Sequence, residues 1–159
     1  MGFPLGARAM TASGFTLVET IIVIAIAAIL LWIAVPTVQG YMDRSRVAQA
    51  ISEISDMSRQ IRQQLKTKGA LPDSLDAAGF AGRTDPWGHE YQYLNLFDNK
   101  GNGQARKDKK LAPLNSDFDL YSVGADGDTA ASLVNKSSRD DIVRARDGGF
   151  VGLASDFDP

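Results

Sequence analysis

The sequence predicts an α+β chain, a long N-terminal α-helix packed on a small antiparallel β-sheet, and three observations carry that prediction. Phe15 to Val35 is an apolar run broken by a single charge, Glu19. After Gly40, apolar residues recur at helical spacing as far as Leu65. Beyond Gly69, the segments 89–97 and 117–123 alternate in polarity between turn signals. A length of 159 residues and an apolar fraction of 44% allow one modest domain with an added element. The chain has no cysteine, so no disulfide fastens its loops. Its formal charge of −2 leaves no basic footprint for nucleic acid.

The apolar run comes first. Its 21 residues reach about 31 Å as a helix, which matches the hydrocarbon core of a bilayer. The 14 residues before it carry only one charge, Arg8. A positive region followed by an apolar run has the order of a secretory signal, but an ordinary signal is cut after the apolar stretch. Here the small residue, Gly14, precedes it, so cleavage at that point leaves the helix in place. Thr16 and Glu19 have the spacing of a capping box. Pro36 has no N–H and crowds the preceding turn, and Gly40 weakens the same stretch. The expectation around 33–41 is either a curved or melted segment or the point where the helix leaves the membrane.

The second half of the helix follows. Val47, Ile51, Ile54, Ile61 and Leu65 fall on one face, while Arg44, Arg46, Glu53, Arg59, Arg62 and Lys66 lie mainly on the other sides. The repeat covers under three heptads, which disfavours a coiled coil. Basic residues and then Gly69 place the helix end near Thr67–Gly69. The organisation is therefore a leader over 1–14, a membrane and assembly half over 15–35, an amphipathic half over 36–68, and a small head over 69–159.

In the head, 71–79 reads as a turn that packs Leu71, Leu75 and Phe80 on the helix. Asp85-Pro-Trp-Gly88 is a turn. It leads into a strand over 89–97 with Tyr91, Tyr93 and Asn95 on one face. A loop over 98–103 and a basic stretch over 104–110 precede the second strand, 117–123. Two or three antiparallel strands are expected. Phe150, Val151 and Leu153 in the tail 143–159 offer a further short strand or a contact with a neighbouring subunit.

Gly14-Phe15-Thr16-Leu17-Val18-Glu19, the uncharged run after it and Pro36 resemble the N-terminus of type IV pilins and type II secretion pseudopilins. Asp85-Pro-Trp-Gly, Asp117-x-Asp-Leu-Tyr-Ser-x-Gly-Ala-Asp-Gly127 and Asp140-Asp-Ile142 resemble the head of the major pseudopilin. The resemblance implies a pilin-like fold, with cleavage between Gly14 and Phe15 by a prepilin peptidase and N-methylation of Phe15. It implies a homopolymer assembled through Phe15, Glu19 and Pro36, with Glu19 meeting the terminal amine of a neighbouring Phe15. Related minor subunits, an inner-membrane assembly platform and, before assembly, membrane lipid are the further partners it implies. The chain would cross the bacterial inner membrane once with its head in the periplasm, then enter a periplasmic pseudopilus or a surface pilus.

The segment 117–141 carries Asp117, Asp119, Asp126, Asp128, Asp140 and Asp141 beside Gly124 and Gly127. Calcium takes six to eight oxygen ligands, and such a segment offers many. The spacing is not that of an EF-hand. A solvated acidic loop is the plain alternative. The resemblance implies a calcium ion, Ca2+, on Asp126, Asp140, Asp141 and the Val123 carbonyl. Two departures from the family pattern are a longer stretch between Asp126 and Asp140 and the long tail after Ile142.

The expected function is thus structural, a subunit of a type II secretion pseudopilus, with a type IV surface pilus for adhesion, motility or DNA uptake as the alternative. A membrane-anchored binding module is a third reading. Enzymatic activity is not expected, because the lone histidine, His89, has no cysteine or serine motif to work with.

Overall fold

The computed structural model describes residues 14–99 and 103–158, with the side chains of 35–37, 98 and 99 excluded. The leader, apart from Gly14, and the tip of the 98–103 loop lie outside the described residues. The chain divides into two units, one ending at Tyr41 and the other running from Met42 onward.

The helix α1 spans Leu17–Lys68. The melted segment offered as one expectation for 33–41 does not occur, and both Pro36 and Gly40 lie inside the helix. A proline deletes one donor from the ladder, whereas restarting a helix incurs a new nucleation penalty, so a long helix runs through it. Within the first unit every described side chain from Phe15 to Ala34 is exposed, including Trp32 and Ile33. Among the described residues α1 alone is long and apolar enough to cross a membrane.

In the second unit α1 presents the expected face. Ile54 and Ile61 are fully buried together with Ala50 and Met57, and Val47, Ile51 and Leu65 pack at the edges. The helix ends where Gly69 adopts φ +74° and donates from N to the Leu65 carbonyl at 2.9 Å, a conformation that suits glycine. Leu71, Ala78 and Phe80 fold back onto that face.

The sheet has four strands rather than two or three: β1 (Gln92–Asn95), β2 (Phe118–Ser122), β3 (Ile142–Ala145) and β4 (Phe150–Leu153). They lie in sequence order and every neighbouring pair is antiparallel. Gln92 faces Tyr121, Tyr121 faces Val143, and Val143 faces Gly152. The tail thus supplies two strands, because Ile142–Ala145 and Phe150–Leu153 form a hairpin around Arg146–Gly149.

Period two sorts the side chains. Phe118, Leu120 and Ile142 join the core against α1. Val143, Ala145 and Tyr121 point to a second core on the opposite face, completed by Leu114, Leu133 and Ala154. This second layer is made of loops, and no long apolar run announces it in the sequence.

Candidate functional site

At the start of α1, Gly14 and Phe15 are exposed, and Phe15 is 87% accessible. The capping box forms. Thr16 N–H and hydroxyl both donate to Glu19 Oε2 at 2.9 Å, and Glu19 N–H donates to Thr16 Oγ1 at 3.2 Å. The Glu19 carboxylate therefore sits at the positive end of the helix dipole, one turn from the expected cleavage point. Pro36 lies within α1, and its side chain is among those not described.

The head site is built from the Asp85 turn upward. Asp85, 5% exposed, accepts from Trp87 N–H at 3.0 Å and His89 N–H at 2.9 Å, which closes the turn. Its other oxygen accepts from the Ser122 hydroxyl at the end of β2. His89 Nδ1 donates to the Gly124 carbonyl at 3.0 Å. These contacts fasten the first turn to the loop that follows β2.

That loop rests on Asp140, whose Oδ2 accepts from Ala125 N–H at 2.8 Å and Asp126 N–H at 3.1 Å. Gly124, at φ +71°, lies so close that a Cβ there would come within 2.5 Å of the Asp140 carbonyl oxygen. Asp126 is exposed, and its Oδ1 accepts from Asp128 N–H at 2.9 Å. Asp126 and Asp140 therefore share one turn, beside buried Val123.

The other aspartates go elsewhere. Asp141 is fully buried and its Oδ2 accepts from Arg106 Nη2 at 2.5 Å and from the Thr129 hydroxyl at 2.7 Å. Asp119 is held by Arg106 N–H at 2.7 Å and Asn115 Nδ2 at 2.9 Å. Burial raises the Asp119 carboxyl above its ordinary value, against the pull of those hydrogen bonds. Asp117 takes both prongs of Arg144 at 2.7 Å. The expected calcium set thus separates into Asp126 with Asp140 on one side and Asp141 on the other. Among the described residues no group of three or more His, Asp or Glu side chains is placed to hold a metal ion. The donors present do not fit a three-carboxylate calcium site.

Two buried arginines, Arg106 at 2% and Arg144 at 1% exposure, are the residues that sequence reasoning passed over. Arg144 lies on the α1 side of β3 and donates to Ser58 Oγ at 2.9 Å and the Phe118 carbonyl at 2.7 Å. Its guanidinium stands 4.0 Å from the Phe118 ring centroid. The only hint of Arg144 in the sequence is one arginine inside the otherwise apolar run Ile142–Ala145.

Comparison with known proteins bears on both ends of the chain. Residues 10–35 match the family model described as a prokaryotic N-terminal methylation motif. The chain is 30% identical over 142 residues to the type II secretion system core protein G of Pseudomonas aeruginosa, covering 76% of this chain and 88% of that one. It is 29% identical over 157 residues to the type IV major fimbrial protein FimA of Dichelobacter nodosus, with 92% of each covered. A fimbrial protein of Neisseria meningitidis is 37% identical over 83 residues, 52% of this chain and 49% of that one, so the chain spans about half of its length. No solved structure is a significant match. These relatives are pilin and pseudopilin subunits rather than enzymes. With a methylation motif opening an exposed apolar helix and a core protein G relative matched over most of its length, the chain belongs to the type IV pilin-like family that includes the type II secretion core protein G.

Proposed function

We propose that this chain is a structural subunit of a type II secretion pseudopilus that polymerises from the inner membrane through α1. The observation that carries the reading is the extent of the core protein G match. At 76% of the chain it is longer than α1 and everything before it, so the head contributes as well as the helix. The exposed apolar half of α1 supports assembly. Burying each Ile, Leu or Phe side chain there is worth about 1.5–3 kcal/mol, whether lipid or neighbouring subunits cover it. Prepilin peptidase cleaves between the exposed Gly14 and Phe15, and Phe15 is then methylated. Glu19, already at the start of the helix, pairs with the freed amine of a neighbouring Phe15 and sets the axial register. The head lies in the periplasm, and minor subunits and an inner-membrane platform complete the machine.

The surface-pilus reading rests on the FimA match over 92% of the chain. An in-frame deletion in the source bacterium separates the two. Trapping of specific exoproteins in the periplasm supports the pseudopilus, whereas an unchanged supernatant with loss of surface filaments supports the pilus. Glu19→Ala is expected to abolish filament yield while the head melts normally. Full filament yield from that strain refutes the assembly role of Glu19.

A further inference from the structure

We infer that the guanidinium of Arg106, rather than a calcium ion, closes the loop between β2 and β3. The inference concerns the head and holds for either filament.

A buried guanidinium has lost the hydration of its charge, so Arg106 demands compensation from the groups around it. Its partners come from separate stretches of chain. Nη2 meets Asp141 Oδ2 at the start of β3, and Nη1 meets the Thr129 hydroxyl and the Ala130 carbonyl within the loop. Thr129 closes a triangle by donating to Asp141 Oδ2. The guanidinium carbon lies over the Tyr121 ring on β2, 4.3 Å from its centroid. Carboxylates and carbonyls are oxygen ligands that calcium recruits, and here one of each faces an arginine together with a hydroxyl.

The backbone reinforces the clasp. Arg106 N–H donates to Asp119 Oδ2, and the Arg106 carbonyl accepts from Leu114 N–H at 2.8 Å. Lys107 N–H donates to the Ala131 carbonyl, and the Lys107 carbonyl accepts from Leu133 N–H, both at 2.9 Å. The segment carrying Arg106 is thus stitched to the loop on both sides of Ser132.

Electrostatics disfavours a second cation. Asp141 Oδ1 is buried without a hydrogen-bond partner, as is Arg106 Nε. A divalent ion there would share its carboxylate with a guanidinium, and charges that close repel several times more strongly in a buried site than in water. One oxygen of each of the other two candidates is also engaged by backbone, Asp140 Oδ2 by the N–H groups of Ala125 and Asp126 and Asp126 Oδ1 by that of Asp128.

The test uses the full-length chain in detergent, with unfolding of the head followed by near-ultraviolet circular dichroism in excess EGTA and in millimolar calcium. The two melting midpoints are expected to coincide within about 1 °C. Arg106→Met is expected to lower the midpoint by about 10 °C or more, because it leaves Asp141 buried and unpaired. The double variant Arg106→Met with Asp141→Leu is expected to recover most of that loss. A rise of about 10 °C with calcium, removed by Asp126→Ala, would overturn the inference and restore the metal. An unchanged midpoint in Arg106→Met overturns it too. If that variant fails to fold, the calcium and EGTA comparison on the unsubstituted chain decides alone.

Discussion

Replacing Arg144 by methionine removes a charge from the middle of the head while keeping most of the side-chain length. In the intact chain its Nη1 and Nη2 each lie 2.7 Å from an Asp117 carboxylate oxygen, Nε bonds Ser58 on α1, and Nη1 also bonds the Phe118 carbonyl. The substitution leaves Asp117, whose side chain is 13% exposed, without its counter-charge, and Ser58 without a partner in the core. Removing one member of a buried pair costs about 3–5 kcal/mol. For a unit of this size about 4 °C of melting temperature accompanies each kcal/mol, giving a fall of roughly 12–20 °C. Thermal unfolding of the full chain in detergent, followed by near-ultraviolet circular dichroism, measures it. The double variant Arg144→Met with Asp117→Leu is expected to regain most of the loss, because an apolar pair of similar volume often replaces a buried ion pair without penalty. A fall below about 4 °C in the single variant, or a double variant no better than the single, refutes the reasoning.

Two further perturbations follow from the loops. Gly124→Ala combines a φ of +71° with a Cβ within 2.7 Å of three Asp140 atoms, so it should cost about 2–4 kcal/mol and increase proteolysis within 124–141. Proteolysis at the unsubstituted rate contradicts that close approach. Burial raises the Asp147 carboxyl, but the Ser116 N–H and hydroxyl outweigh it and hold the group below its ordinary value of 3.8. A lowered folded-state value means stability that is present above about pH 4 and lost as pH falls from there through the lowered value. The melting-temperature gap between the unsubstituted chain and Asp147→Asn should therefore be constant from neutral pH to about pH 5 and shrink below pH 4. A gap that persists undiminished to about pH 2 rules this out.

The exposed stretch from Ile21 to Ile33 and the buried stretch from Ala50 to Ile61 belong to one helix with two solvents. Hydropathy alone distinguishes them, since one is apolar all round and the other along one face only. That division gives the chain an apolar half left exposed and an amphipathic half packed into the core of the head.

Local chemistry by itself determined the helix, its capping box and its end. Thr16-x-x-Glu19, an apolar repeat and Gly69 act within a few residues of themselves, so their outcome is readable without knowing what they pack against. The turn at Asp85 and the strand cores around Tyr93 and Leu120 were legible for the same reason. Only the tertiary structure decided the partners of the aspartates. Asp141 and Asp117 look like solvated ligands in sequence, and they become counter-ions because Arg106, 35 residues before one, and Arg144, 27 after the other, arrive beside them. Of the β3–β4 hairpin, the second strand was foreshadowed by Phe150, Val151 and Leu153, whereas β3 was hidden, since four residues are too short a run to stand out from a loop. An ion pair between distant residues leaves no periodic trace along the chain, and that is why the closure of this head emerged only from its fold.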